Sequence, residues 1–158
     1  MKIGVVSDTH GLLHRRVFDH LDGVEMILHA GDIGGEEILT ELESIAPVLA
    51  VSGNTDGHPL AGRCREREIV EFGRRRFYLT HRVVEGGRYL PAVMAQIRQA
   101  APQVVIYGHT HQAHAEYREG ILFFNPGPAG ERRQGTTLSL GLLELTGKEI
   151  RHHIHYLD

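Results

Sequence analysis

The apolar positions in the first third of the chain alternate between short continuous runs and helical stripes. Three continuous runs have the length of buried strands, at residues 2–8, 25–30 and 48–51. Between them, apolar residues three and four positions apart predict a helix over residues 12–21. A second helix is predicted to open at Gly34-Gly35 and to end before Pro47. This alternation of strands and helices favours a parallel sheet with right-handed crossovers.

The remaining apolar positions predict a strand-rich second half. A hairpin is indicated over residues 67–79, with its turn at Gly73. A helix over residues 89–100 has Pro91 near its start, where proline is tolerated, and a buried strand at 104–107 follows. Four further runs predict antiparallel strands at residues 113–118, 121–124, 137–145 and 149–156. The whole pattern predicts an α/β layered domain in which two sheets pack together.

Composition narrows the class of protein. A length of 158 residues favours one domain over residues 1–158, and 41% hydrophobic with 23% charged residues is ordinary for a soluble globular protein. The formal net charge of -3 gives no support for a membrane surface or an extended nucleic-acid groove. Cys64 is the only cysteine, which rules out an intrachain disulfide. Without a secretory pattern or a long apolar stretch, we expect a cytoplasmic protein with no membrane partner.

Potential metal ligands follow five of the predicted strands. They are Asp8 with His10, Asp32, Asn54, His81, and His109 with His111. In open α/β folds, ligands bind just beyond the carboxyl ends of the strands, so these side chains are expected to share one site. The mixture of carboxylate, imidazole and amide suits hard or borderline divalent ions and argues against a thiolate zinc site.

The spacing of these residues suggests how they would act together. Asp8 and His10 are two positions apart, so an extended backbone would point both side chains the same way, and His109 and His111 repeat that spacing. Asp32 has two carboxylate oxygens and could bridge two cations. Two divalent ions about 3.5–4 Å apart are a recurring device for phosphoryl transfer.

The order of the motifs carries a more specific resemblance. The series Asp-x-His, Gly-Asp, Gly-Asn-x-Asp, His and Gly-His-x-His, from Asp8 through Asn125-Pro126-Gly127, resembles the calcineurin-like metallophosphoesterases. Within that family the chain is most similar to the small bacterial phosphodiesterases, which are related to a retromer scaffold subunit. The resemblance implies a four-layer α-β-β-α sandwich, two mixed β-sheets flanked by helices, with a dinuclear site at one edge.

The resemblance also implies a ligand set and a reaction. One ion would be held by Asp8, His10, Asp32 and His111, and the other by Asp32, Asn54, His81 and His109. A hydroxide between the ions would attack phosphorus, with Asp32, Asn54 and His109 as the catalytic residues. The cofactors would be two divalent ions, with Mn²⁺ first and Ni, Fe, Co or Zn as alternatives. The implied activity is hydrolysis of small phosphodiesters, including nucleotide-derived ones.

Two positions depart from the family pattern. Thr55 follows Asn54, where many larger members have a histidine that protonates the leaving group. A missing general acid costs about 10²–10⁴-fold, so activated diesters should be the better substrates. Arg82 follows His81, where the family usually has glycine. This change leaves the loop geometry open and could place a positive charge near the substrate phosphate.

Neighbouring polar residues are expected to support the site rather than bind metal. Asp56 is expected to hold a loop, and Asn125 to begin a turn that supports the metal loops. His29 is expected in the core, with support of the Asp32 loop as the alternative. His58 is expected on the surface, with a substrate contact as the alternative.

Three other functions are alternatives to the phosphodiesterase. A protein-interaction scaffold is disfavoured because it could lose ligands without penalty, whereas all seven positions are retained. A phosphomonoesterase or nuclease on the same site stays open. An amidohydrolase-type enzyme usually begins with His-x-His, which comes last here. A homo-oligomer is suggested by the resemblance alone.

Overall fold

The computed structural model describes residues 1–157, and within them the strands and helices alternate as the sequence pattern predicts over most of the chain. In chain order the elements are β1 (Lys2–Val6), α1 (Arg16–His20), β2 (Met26–His29), α2 (Glu36–Glu43), β3 (Val48–Ala50), α3 (Leu60–Arg63), β4 (Arg67–Phe72), β5 (Arg75–Thr80), β6 (Val84–Glu85), β7 (Arg88–Tyr89), α4 (Pro91–Ala100), β8 (Val104–Ile106), β9 (His114–Arg118), β10 (Ile121–Asn125), β11 (Ser139–Leu145) and β12 (Ile150–Tyr156).

The strands form two five-stranded mixed sheets and a small hairpin. The first sheet has the order β12-β11-β1-β2-β3, and the second has the order β4-β5-β8-β10-β9. In the first sheet β1, β2 and β3 are parallel, which confirms the crossovers expected from the sequence. In the second sheet β5, β8 and β10 are parallel. Antiparallel pairs complete both sheets: β1 with β11 and β11 with β12 in the first, and β4 with β5 and β9 with β10 in the second.

Burial on both faces of the sheets produces the four layers. Adjacent strand residues point to opposite faces, so Ile27 packs into the apolar cluster under α1 and α2 while Leu28 packs between the sheets. Val105 and Ile106 of the second sheet divide in the same way, since Val105 faces α4 and Ile106 faces the first sheet. The α-β-β-α sandwich implied by the resemblance is therefore confirmed.

Two helices are shorter than their apolar stripes suggest. The predicted helix over residues 12–21 is helical only from Arg16 to His20, and the backbone N–H of His14 before it donates to Ala129 O of a distant loop. The helix predicted from Tyr89 begins at Pro91, because Tyr89 pairs with Val84 in the β6–β7 hairpin and Leu90 has an extended backbone. The short helix α3 and the β6–β7 hairpin lack any periodic signal and were not predicted.

The parallel strands set up the site because their carboxyl ends lead into loops that meet at one edge of the sandwich. β1, β2 and β3 deliver loops from the first sheet, and β5, β8 and β10 deliver loops from the second. Across residues 1–157, every helix is too short or too polar to cross a bilayer. The cytoplasmic location and the single domain stay predictions.

Candidate metal centre

Seven side chains from five loops converge at this edge. They are the predicted ligands Asp8, His10, Asp32, Asn54, His81, His109 and His111. The loops after β1 and β8 are tied directly, because the backbone N–H of His109 donates to Asp8 Oδ2 over 3.1 Å. The structure therefore brings together every residue that the sequence singled out for metal binding.

Asp8 presents one carboxylate oxygen to the protein and one to a group of imidazoles. Its Oδ2 accepts the Ser7 hydroxyl over 2.6 Å as well as the His109 N–H. Its Oδ1 lies 3.3 Å from His111 Nε2 and 3.8 Å from His10 Nε2. The carboxylate is thus anchored on one side and leaves a buried oxygen facing two nitrogen ligands.

Asp32 lies between two imidazoles. Its Oδ1 accepts the backbone N–H of Thr55 over 3.0 Å, which fixes the carboxylate plane. Its Oδ2 lies 3.2 Å from His81 Nε2 and 3.6 Å from His10 Nε2. Asp32 Oδ2 therefore faces both imidazoles.

His81 is oriented by a backbone carbonyl. Its Nδ1–H donates to Ala30 O over 2.7 Å, so in the neutral ring Nε2 carries a lone pair. That nitrogen points at Asp32 and lies 3.9 Å from Asp8 Oδ1. A metal-binding histidine is commonly held this way, with its other ring nitrogen donating to a carbonyl.

Unpartnered buried atoms show that the cluster fits cations. Within residues 1–157, the buried side-chain atoms that lack any hydrogen-bond partner are Asp8 Oδ1, His10 Nε2 and His81 Nε2. Buried polar atoms are normally paired, so three unpartnered atoms in one cluster need an external partner. Potential ligand atoms lie within 4.8 Å of one another in two trios, Asp8–His10–His111 and Asp8–Asp32–His81. Carboxylate oxygens and imidazole nitrogens are suitable donors for divalent transition ions.

The backbone at the site is held in an uncommon conformation. Five of the ligand candidates have a positive φ in the left-handed region: Asp8 (52°), His10 (47°), Asp32 (54°), His109 (73°) and His111 (58°). The expectation that an extended backbone aligns Asp8 with His10, and His109 with His111, is therefore wrong. Left-handed turns, not strand pleating, direct these side chains inward. Such strain in non-glycine residues concentrates at functional sites.

The sequence model of the calcineurin-like phosphoesterase superfamily domain matches residues 1–148. The chain belongs to the calcineurin-like phosphoesterase superfamily.

Two relatives of the chain have names that denote phosphoester hydrolysis, and a solved structure shares its fold. A probable metallophosphoesterase of Methanothermobacter thermautotrophicus is 38% identical over 95% of this chain and 89% of its own length. A phosphodiesterase of Methanocaldococcus jannaschii is 30% identical over 96% of this chain and 97% of its own length. Vps29 of Chaetomium thermophilum superposes with a TM-score of 0.84 over 100% of this chain and 86% of that chain, at 17% identity. This last likeness shows the fold alone.

Electrostatics in this phosphoesterase site favour ionised carboxylates. Burial raises the pKa of Asp8, but the nearby imidazoles of His10 and His111 outweigh it and bring the pKa well below its usual range. Burial opposes ionisation of Asp32 too, yet the nearby imidazole of His81 and the hydrogen bond from Thr55 lower its pKa to about 2. Both carboxylates are thus anionic at neutral pH, as metal ligands must be.

Two glycines allow the loops to approach the ligands. A Cβ at Gly53 would lie 2.1 Å from Asp32 Oδ1, and one at Gly108 would lie 2.0 Å from Ser7 Oγ. Neither distance is possible without movement, so the backbone approaches these side chains too closely for any residue with a Cβ. Glycine at these positions follows from packing against the carboxylates.

Asp56 ties the loops after β2 and β3 together. Its carboxylate accepts the backbone N–H groups of Ile33, Gly34 and Gly53 over 2.8–3.1 Å. The prediction that Asp56 holds a loop is confirmed.

Asn125 supports the loop that carries the paired histidines. Its Nδ2 donates to Gly108 O over 3.2 Å and to Thr110 Oγ1 over 2.9 Å, while its Oδ1 accepts the N–H of Gly127. The expected turn is therefore confirmed as a brace for the His109 loop.

His29 combines the two roles considered for it. It is buried in the core, and its Nδ1 accepts the N–H of Gly31 over 3.1 Å, directly beside the Asp32 loop. With its Nε2–H it donates to Thr9 Oγ1, which in turn donates to Ile33 O. Burial lowers the pKa of His29 to about 4, so the ring is neutral at pH 7.

The residue that sequence reasoning missed is Glu85. Its Oε1 lies 3.2 Å from Nε2 of His109, and its Oε2 accepts a hydrogen bond from Arg82. Bonds from Arg82 and His109 lower its pKa. No metal-ligand motif contains this glutamate; the hairpin β6–β7 that carries it has no periodic signal. Arg82 therefore pairs with a carboxylate, which resolves the loop geometry left open by the sequence.

Proposed function

We propose that the chain is a metal-dependent phosphodiesterase that uses two divalent ions to hydrolyse small phosphodiesters, including nucleotide-derived ones. The observation that carries the proposal is the set of three buried, unpartnered ligand atoms on Asp8, His10 and His81. They lie in a member of a phosphoesterase superfamily whose relatives include a protein named as a phosphodiesterase.

Each proposed ion has a distinct set of ligands. The first would be held by Asp8, His10, Asp32 and His111, and the second by Asp32, Asn54, His81 and His109. The shared role of Asp32 is supported by the distances from its Oδ2 to His10 Nε2 and His81 Nε2. We infer Mn²⁺ as the first choice, with Ni, Fe, Co and Zn compatible with the same donors.

The ligand set suits a singly charged diester. It contains two carboxylates and otherwise neutral groups, so two divalent ions would leave the centre positively charged. When bound, such ions neutralise charge on the phosphoryl oxygens and make a hydroxide nucleophile available near pH 7. The protein's contribution is to hold both carboxylates ionised and to fix their planes through Ser7 and Thr55. The amide of Asn54 adds an oxygen donor without adding negative charge.

A cleft beside the centre supports a small substrate. It has a volume of about 560 Å³ and opens at His109 between the β6–β7 hairpin and residues 109–114. This size suits one compact ester group rather than a polymer. The net charge of -3 likewise gives no support for an extended nucleic-acid groove. We place the second ester substituent of the diester in this cleft.

The proposal is tested with an aryl phosphodiester and metal-stripped protein. Turnover should be absent without metal and should appear on addition of Mn²⁺. Replacing the bridge, Asp32→Ala, should abolish turnover and lower the number of Mn²⁺ ions bound per chain, whereas Asp22→Ala on the exposed surface should do neither. Full activity in Asp32→Ala would refute the bridge.

The alternatives have their own outcomes in the same experiment. Silence with Mn²⁺, Ni²⁺, Co²⁺ and Zn²⁺, in protein shown to bind metal, would favour a scaffold. Faster hydrolysis of the matching aryl monoester would favour a phosphomonoesterase. The structural likeness to Vps29 does not by itself favour the scaffold, because 17% identity shows only a shared fold.

A further inference from the structure

The imidazole of His109 contacts an oxygen at each ring nitrogen. Its Nε2 lies 3.2 Å from Glu85 Oε1, and its Nδ1 lies 3.2 Å from Asn54 Oδ1. A neutral imidazole has one N–H, so it can donate to only one of these acceptors. The carboxylate is the stronger acceptor of the two, because a hydrogen bond to a charged group is about twice as strong as a neutral one.

If His109 Nε2–H donates to Glu85, the opposite ring nitrogen, Nδ1, carries no proton. With the proton on Nε2, the Nδ1 lone pair faces the carbonyl oxygen of Asn54. Two electron-rich atoms at 3.2 Å repel each other unless a positive group lies between or beside them. A cation held jointly by His109 and Asn54 would supply that group.

Glu85 is itself held in place. Arg82 Nη2 donates to Glu85 Oε2, which leaves Oε1 directed at His109. The β6–β7 hairpin that begins at Val84 fixes the backbone of this segment, with Val84 paired to Tyr89 and Glu85 to Arg88. Arg82, Glu85 and His109 therefore form a relay of hydrogen bonds that ends on the ring.

We propose that Glu85 is a positioning residue that selects the Nε2–H tautomer of His109 and turns its Nδ1 toward the second metal ion, with Arg82 orienting Glu85. This rests on the proposed function in one respect, since the second ion is part of that proposal. The tautomer itself is a property of the metal-free protein. The role of Arg82, which departs from the family pattern, is then to orient Glu85.

The first test is made without metal or substrate. Nitrogen-15 NMR of the metal-free protein at about pH 8, where an ordinary imidazole is neutral, reports which ring nitrogen of His109 carries the proton. The wild type should show the Nε2–H form. Glu85→Ala should give a mixture of tautomers, and Glu85→Gln, which keeps a side-chain acceptor, should restore much of the Nε2–H form. Arg82→Ala should give an intermediate result.

The second test is calorimetric titration with Mn²⁺ alone. Loss of a hydrogen-bond partner of a metal-binding histidine typically weakens binding about 10–100-fold. Glu85→Ala should weaken the second binding event by that factor and leave the first unchanged. Glu43→Ala serves as the control, because Glu43 is also exposed and paired with an arginine, Arg63, but on α2. Glu85 lies on the surface, and circular dichroism checks that each variant is folded.

The results separate this inference from the proposed function. An unchanged tautomer and unchanged second-ion affinity in Glu85→Ala overturn the positioning role, even if the wild type hydrolyses diesters. A shifted tautomer with weakened second-ion binding supports the role, even if no diester is hydrolysed. A wild type that already shows the Nδ1–H form overturns it outright.

Discussion

At the scale of single residues, the centre is built from side chains in which one polar atom already forms a hydrogen bond within the protein. Asp8 uses one oxygen for Ser7 and the His109 backbone, Asp32 uses one for Thr55, and His81 uses Nδ1 for Ala30. The remaining atom of each faces the same point. This pairing converts flexible ligands into fixed ones and reduces the entropy lost when a metal binds.

Thr55 sets the expected substrate preference. It stands next to Asn54, and its hydroxyl cannot serve as a useful acid at neutral pH. Aryl leaving groups can depart as anions without a proton. After correction for the difference in uncatalysed reactivity, aryl diesters should be hydrolysed about 10²–10⁴-fold faster than alkyl diesters. Steady-state kcat for a matched aryl and alkyl pair measures this. Equal rates would show that another residue protonates the leaving group.

A histidine at position 55 provides the matched variant. Thr55→His keeps the backbone N–H that Asp32 accepts and adds an imidazole beside the site. The gap between aryl and alkyl substrates should narrow. An unchanged gap in folded, metal-loaded protein would argue against a missing general acid.

The side chains that converge at the centre were predictable from sequence, whereas the contact of Glu85 with His109 was not. Asp8, Asp32 and His81 each follow an apolar run, so their types and positions carry the signal. Glu85 contacts His109 only because the short β6–β7 hairpin lies against the loop after β8. A contact between residues 24 apart, made through irregular backbone, leaves no pattern along the chain.

At the scale of elements, strands deliver the residues and strained loops aim them. The sequence predicted the strands because burial on one or both faces leaves continuous or alternating apolar runs. It did not predict the left-handed turns at Asp8 and His109, since the residue in the left-handed conformation is not a glycine at either position. The length of α1 was overestimated, because its apolar stripe continues back into residues 12–15, which the structure leaves outside the helix.

Gly53 and Gly57 give a matched pair for testing the loop after β3. A Cβ at Gly53 would lie 2.1 Å from Asp32 Oδ1, whereas one at Gly57 would have nothing within 4 Å. Gly53→Ala should therefore displace the Asp32 carboxylate, weaken Mn²⁺ binding by about tenfold or more and cost about 1–3 kcal/mol of stability. Gly57→Ala should leave both close to wild type. Calorimetric titration and urea unfolding measure the two effects, and equal behaviour of the variants would contradict the packing argument.

At the scale of the whole molecule, the site joins the two sheets at one edge. Asp8, Asp32 and Asn54 come from the first sheet, while His81 and His109 come from the second. Their cohesion therefore depends on the packing between the sheets, where Leu28 and Ile106 are fully buried. The layer arrangement was implied by the family resemblance, since apolar periodicity alone predicts two sheets but not which strands each contains.

Acid stability of the metal-free protein should depend on His29. Its pKa is lowered from 6.5 to about 4 by burial, so between these values the unfolded chain binds the proton and the folded chain does not. The contribution of His29 to the free energy of unfolding is complete above pH 6.5. It is lost as the pH falls toward 4, by up to about 3 kcal/mol. Urea unfolding of wild type and His29→Gln across this range should show a shallower pH slope in the variant. Parallel slopes would contradict the assignment.

The central claim is that one carboxylate, Asp32, is shared by two metal ions, and anomalous diffraction from crystals soaked in saturating Mn²⁺ tests it most directly. The account predicts two anomalous peaks about 3.5–4 Å apart. One should lie among Asp8, His10 and His111, and the other among Asn54, His81 and His109, with Asp32 touching both. A single peak, or two peaks that do not share Asp32, would contradict the account.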